Sequence, residues 1–187
     1  MEETEILTQI TAGDTEKFGL LYDIYFARIY NYIFYRTRER ETAEDITSAT
    51  FFKAVRSLHT FNAHKGTFSS WLYRIARNTL YDHWRGGTRP ESIDDHEDVL
   101  IAPGDLEHET FDRELVRKVN DCVARLPKAQ QEIIKMRIWD DLPYAQIAEI
   151  LGKSEASCKM EFSRAIRKLK DIAPLAAMVV LIMGSVK

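Results

Sequence analysis

Two runs of this sequence combine residue types that can grip nucleic acid. Between Phe68 and Arg85, arginines alternate with aromatics, and on a helical wheel Ser70, Tyr73, Arg74, Arg77, Tyr81, Trp84 and Arg85 turn outward. Phe68, Leu72, Ile75, Ala76 and Thr79 turn inward, with Trp71 at the margin. Exposed rings beside guanidinium groups suit unstacked bases and phosphates, and stacking is worth about 1–3 kcal/mol per base. The competing expectation is that Tyr81 and Trp84 pack on other helices while the arginines are solvated. The second run follows Ser154. At about 100° per residue, Ala156, Met160, Arg164 and Arg167 centre one face, flanked by Ser157, Lys159, Ser163 and Lys168, opposite Cys158, Phe162, Ala165, Ile166 and Leu169. A cationic amphipathic helix of this kind fits a duplex major groove. An ordinary helical hairpin with a solvated basic face is the alternative.

The elements needed to hold these faces are all helical. Tyr144 to Leu151 predicts a short helix with Ile147 and Leu151 inward and the small Ala148 at a crossing point. Gly152 supplies a left-handed turn and Ser154 a cap, which makes Tyr144 to Lys170 a helix-turn-helix. Upstream, Asp14 is placed to cap a helix carrying Phe18, Leu21, Tyr22, Tyr25, Ile29 and Ile33. Thr42 to Asp45 resembles a capping box that opens a helix to about Leu58. That helix turns Phe51, Val55 and Leu58 inward and Asp45, Ala49, Lys53 and Arg56 outward, with Phe52 at the edge. Gly66 and Thr67 precede the third long helix, Phe68 to Arg85. Another helix runs through Leu115, Val119, Val123 and Leu126, and Pro127 starts one through Ile133, Ile134 and Ile138 at a first helical position.

The net charge of −3 hides a segregation. From Gly86 to Asp112 nine acids face one base, Arg89, so this stretch carries −8 and the rest of the chain +5. A weakly acidic whole therefore leaves nucleic acid open as a ligand, because the field is local. The same stretch holds Gly86, Gly87, Pro90, Pro103 and Gly104 without a sustained period, and is too long for a loop inside one domain. The expected fold is all-α: two small helical domains, 1–85 and 113–172, joined by an acidic flexible linker, 86–112. An apolar tail, 173–187, follows. It is shorter than the roughly 20 residues a membrane span needs, and packing against the second domain is weighed against membrane contact.

Catalysis finds no support. The sequence has no Gly-rich phosphate loop, no nucleophile elbow and no zinc-protease motif, and its five histidines lie in unrelated contexts. Cys122 and Cys158 form no ligand pair, so no metal, cofactor or small-molecule substrate is expected, and a reducing cytoplasmic setting is. The acidic start, Met1 to Glu5, lacks the basic segment of a signal peptide.

Nearly the whole chain resembles the extracytoplasmic-function (ECF) sigma factors of bacterial RNA polymerase. The first half carries the likeness in Leu21-Tyr22, Tyr25, Ile29-Tyr30 and Ile33, in Ala43-Glu44-Asp45 and Thr50-Phe51, and in Phe68 with Trp71 to Asn78. The second half carries it in Leu126-Pro127, in Tyr144, Ile147-Ala148, Leu151-Gly152 and Ser154, and in Lys159, Arg164-Ala165 and Leu169. The resemblance implies docking on the polymerase clamp through Asp45, Ala49, Phe52, Lys53 and Arg56. It implies reading and melting of the minus-ten promoter element by Lys65, Arg74, Arg77, Asn78, Tyr81 and Arg85. The minus-thirty-five duplex would fall to Ser157, Lys159, Ser163, Arg164 and Arg167. The linker would thread the polymerase's nucleic-acid channel, and an inhibitory anti-sigma factor would be a further partner. Three departures from the usual pattern stand out: Ser48-Ala49 replaces Gln and an acid, Pro143 replaces Ser, and Met160-Glu161 replaces a Ser-Arg pair. The alternative is a free-standing helix-turn-helix regulator of duplex DNA, with the first half as an effector or dimerisation domain.

Overall fold

The computed structural model describes residues 3–11, 14–86 and 119–174, and every regular element among them is helical. Residues 87–112 of the linker, Leu115 and all of the tail beyond Pro174 lie outside the described residues. The chain divides into two compact units, 1–91 and 92–187.

The first unit consists of α1 (Glu3–Thr11), α2 (Phe18–Thr37), α3 (Arg40–Ser57) and α4 (Phe68–Arg85). Phe18, Leu21, Tyr25, Ile29 and Ile33 recur at three- and four-residue spacing and are all buried, as the periodicity predicts. Tyr22 is instead 40% exposed. Asp14 does not cap α2. Its carbonyl accepts from Lys17 N–H at 3.3 Å, and a single 3-10 turn, Thr15–Lys17, leads into the helix without a side-chain cap. Nor does Thr42 open α3, which begins earlier, at Arg40. The extended Glu39 accepts from the N–H groups of Glu41 and Thr42 at 3.0 and 2.8 Å. These bonds, led by those from Thr42, hold the Glu39 carboxyl below its usual range. Glutamate is outside the usual capping set, which is why the pattern pointed downstream.

The inner face of α3 also differs from expectation. Val55 is 48% exposed and Leu58 half-buried, while Ala43, Ile46, Thr47, Thr50, Phe51 and Ala54 face the core. Thr47 and Thr50 can be buried because their hydroxyls donate back to the carbonyls of Ala43 (2.6 Å) and Ile46 (2.7 Å). A wheel that counts only apolar residues misplaces this face.

Helix α4 begins where expected, with Thr67 accepting from Ser70 N–H at 3.2 Å. Its buried arc is displaced, however. Because α4 packs on both α2 and α3, the arc continues from Phe68, Leu72 and Ala76 through Tyr73 and Leu80, and leaves Ile75 half-buried. Ser70 and Tyr73, assigned to the outer face from periodicity, are each only 1% exposed. The Tyr73 ring meets Tyr32 of α2 edge-on, with centroids 5.1 Å apart.

The second unit comprises α5 (described over 119–124), α6 (Lys128–Ile138), α7 (Tyr144–Leu151) and α8 (Glu155–Ile172). Val119, Val123, Leu126, Ile134, Ile138, Ala165, Ile166 and Leu169 form one buried cluster, with Ala173 packed at its edge. Pro127 is the cap residue before α6 rather than its first helical residue, and its carbonyl accepts from the N–H groups of Gln130 and Gln131. In α7, Ile147 and Ala148 are buried as expected, but Ile150 replaces Leu151 as the third inward residue. Gly152 closes α7 at φ 65°, with nothing near enough to crowd an added Cβ. The glycine therefore serves backbone conformation rather than close packing. Ser154 then accepts from Ser157 N–H at 3.2 Å. Ser154→Ala is expected to destabilise this unit by about 1 kcal/mol, the usual cost of a lost cap. A denaturant midpoint unchanged from that of the parent would contradict the capping role.

Candidate nucleic-acid interface

Displacement of the α4 core toward Tyr73 sharpens what remains outside. Arg74, Asn78, Tyr81 and Arg85 are exposed, with Arg77 and Trp84 half-buried on the same arc. The Arg77 guanidinium lies over the Tyr81 ring at 4.8 Å, and Tyr81 meets Trp84 edge-on at 5.5 Å. Residues 77, 81 and 84 thus form a continuous cationic and aromatic ledge along successive turns. Tyr81 is 38% exposed, so its ring remains accessible to a flat partner.

Lys65 stands exposed on the loop before α4. Asn62 shapes that loop: its side-chain Oδ1 accepts from His64 N–H (2.9 Å) and its carbonyl from Lys65 N–H (2.9 Å). Phe61 anchors the loop against Phe68 and Trp71, at centroid distances of 5.5 and 5.7 Å. Periodicity could not find Phe61 and Asn62, because they act outside any helix.

On α3, Asp45, Lys53 and Arg56 are exposed and Ala49 is half-buried. Phe52, expected at the edge, stands out at 63% exposure, with the Arg56 guanidinium over its ring at 5.6 Å. Lys53 donates to Asp82 Oδ2 at 3.2 Å, and Arg85 pairs with Asp82 Oδ1 at 2.7 Å. One carboxylate thus ties the outer faces of α3 and α4. Sequence reasoning also missed an aromatic ladder on α2, in which Tyr22, Phe26, Tyr30 and Phe34 follow one another with centroids 5.1–6.1 Å apart.

In the second unit α8 presents Lys159, Met160, Ser163, Arg164, Arg167 and Lys168 to solvent, while Ser157 is half-buried. Lys159 pairs with Glu155 (2.6 Å), Arg164 pairs with Glu161 (2.8 Å), and the Ser163 hydroxyl donates to the Lys159 carbonyl (3.0 Å). Glu161 also accepts from Gln130 of α6 at 3.1 Å; this bond first, then Arg164, holds its carboxyl below the usual range. Tyr144 lies between two cations, with Arg137 at 5.4 Å and Lys159 at 5.9 Å from its ring, and Phe162 supports it edge-on. Burial raises the Tyr144 phenol and the Cys158 thiol above their ordinary values. Among the described residues no group of three or more His, Cys, Asp or Glu side chains could hold a metal ion, and no helix is long and apolar enough to cross a membrane.

The family model for sigma-70 region 2 matches residues 21–89, and that for sigma-70 region 4 matches residues 117–169. The chain is 36% identical over 176 residues to the ECF RNA polymerase sigma factor BldN of Streptomyces coelicolor, covering 91% of this chain and 65% of that protein. It is 31% identical over 153 residues to the RNA polymerase sigma factor YlaC of Bacillus subtilis, covering 80% of this chain and 88% of that one. The chain belongs to the ECF sigma factors. A solved structure of CnrH in complex with the cytosolic domain of CnrY shares the fold at TM-score 0.63 and 20% identity, covering 89% of this chain and 94% of that one. In this sigma factor the region 2 match begins at Leu21 within α2 and takes in α3 and α4, and the region 4 match ends at Leu169 within α8. The ledge on α4 and the cationic face of α8 therefore fall in separate matched regions.

Proposed function

We propose that this sigma factor gives bacterial core RNA polymerase its promoter specificity, acting in the cytoplasm without chemistry of its own. Asp45, Ala49, Phe52, Lys53 and Arg56 dock on the polymerase. Lys65, Arg74, Arg77, Asn78, Tyr81 and Arg85 hold the opened minus-ten strand. Ser157, Lys159, Ser163, Arg164 and Arg167 engage the minus-thirty-five duplex. The observation that carries this reading is the Arg77, Tyr81 and Trp84 ledge. A regulator that grips only duplex has no use for accessible rings interleaved with arginines, whereas single-strand binders are built this way.

Residues 86–112 serve as the linker between domains 1–85 and 113–172. Their −8 charge lets them occupy a basic nucleic-acid channel as a polyanion would. An anti-sigma factor is the expected inhibitory partner. Lys53 and Arg85 share the Asp82 carboxylate, so polymerase docking and strand binding draw on adjoining charges.

Run-off transcription with bacterial core polymerase on a promoter library tests the proposal. Promoter-dependent transcripts are expected only when this chain is added. Their absence, together with a footprint by the free protein on two-fold-symmetric duplex, would establish the free-standing regulator instead.

A further inference from the structure

Glu161 places a negative charge on a helix meant to approach a polyanion, yet both of its carboxylate oxygens are engaged within the protein. Its Oε2 accepts from Gln130 Nε2 at 3.1 Å, across from α6, and its Oε1 accepts from Arg164 Nη1 at 2.8 Å. Gln130 is 6% exposed, and its own Oε1 is buried without a hydrogen-bond partner among the described residues. Reversing that amide would aim its carbonyl oxygen at the Glu161 carboxylate, so the brace has one sense only.

The neighbouring pair on α8 lacks such a brace. Lys159 and Glu155 are both about half exposed, and a solvated surface pair of this type rearranges at little cost. Glu161 differs in exposure, with 21% of its side chain accessible, and in having each oxygen engaged. Each oxygen keeps a second lone pair, but the two bonds hold the carboxylate beside Arg164 instead of leaving it to swing toward a cytosine amine, the base contact an acid can make in the major groove.

We infer that Glu161, braced by Gln130 of α6, is a positioning residue that holds the Arg164 guanidinium in one orientation for base reading and restrains it from the phosphate backbone. This deepens the proposed duplex reading and rests on it. Phosphate contacts fix register but carry no sequence information. An arginine left to wander would gain them indiscriminately, and it would lose rotamer freedom on meeting a base. A fixed acid one turn away counters both tendencies.

The test uses the full chain assembled with core polymerase, a promoter library randomised through the minus-thirty-five element, and salt titrations on random duplex. The position that loses its preference in Arg164→Ala identifies the base pair concerned. Glu161→Gln removes the charge at almost constant shape, and Gln130→Leu removes the brace without altering α8. Both are expected to lower discrimination at that base pair roughly five- to tenfold. Both should tighten binding to random duplex and steepen the salt slope by about 0.9, the mark of one added phosphate contact. In an Arg164→Ala background neither variant should change discrimination further. Equal weakening on every duplex with discrimination intact, or an effect that persists without Arg164, would overturn the positioning role while leaving the duplex reading in place. If Arg164→Ala itself alters neither preference nor salt slope, the reading at this residue falls and the inference falls with it.

Discussion

Replacing Tyr73 with alanine will lower the stability of the first unit by about 3–5 kcal/mol, the usual cost of deleting a large buried ring. Tyr81→Ala, two turns along the same helix, will cost about 1–2 kcal/mol, since it removes one edge-on aromatic contact and one cation–π contact from a partly open site. The contrast follows from exposure: Tyr73 is 1% accessible against Tyr32, whereas Tyr81 is 38% accessible. A loss of 3–5 kcal/mol is a large share of the 5–15 kcal/mol that holds a typical domain together. Native-state hydrogen exchange separates the two units, because each has its own core. Protection in α2, α3 and α4 should collapse in Tyr73→Ala, while protection in α6 and α8 stays as in the parent. Comparable small losses from both substitutions would mean that Tyr73 does not belong to the core.

The Tyr73 case shows where sequence reading stops. Periodicity located every long helix, and α4 was bounded at Phe68 and Arg85 as expected, because Thr67 is a strong cap and the pattern breaks at Gly86. A wheel finds the centre of the apolar face but not its width, which depends on how many neighbours a helix has. Helix α4 packs on two, so its core takes in Ser70, Tyr73 and Leu80. The same limit misplaced Val55, since Thr47 and Thr50 use backbone carbonyls to enter the core. Glycine and serine signals at Gly152 and Ser154 were legible because each states a local backbone need. The brace from Gln130 to Glu161 joins residues 31 apart in sequence, and no local pattern carries that. Glu161 and Arg164 stand three residues apart on one helix, a spacing that local pattern can pair; only the fold supplies the third member.

Substituting Arg77 and Tyr81 together with alanine is expected to reduce open-complex formation roughly 10- to 100-fold, with a much smaller loss in closed-complex binding. Each stacked base contributes about 1–3 kcal/mol in single-strand recognition, and every 1.4 kcal/mol is a factor of ten. Under the proposed assignment, closed-complex binding draws instead on duplex contacts by α8 and on docking by α3, neither of which the substitution touches. Permanganate reactivity of the minus-ten strand, measured beside a gel-shift of the unmelted promoter, separates the two steps. Equal losses in both would show that the ledge serves general attraction to DNA rather than melting. Trp84→Ala alone should give an intermediate defect, because Trp84 supports the Tyr81 ring edge-on at 5.5 Å while Arg77 still lies over it. In the proposed strand-binding role, Tyr81, held between a cation and a second ring, is kept ready for a base that leaves its stack. The ordering of defects, double variant above Trp84→Ala above Arg85→Ala, follows from that arrangement. Arg85 is already engaged by Asp82 at 2.7 Å and shares it with Lys53, so its removal costs one screened charge rather than a stacking surface.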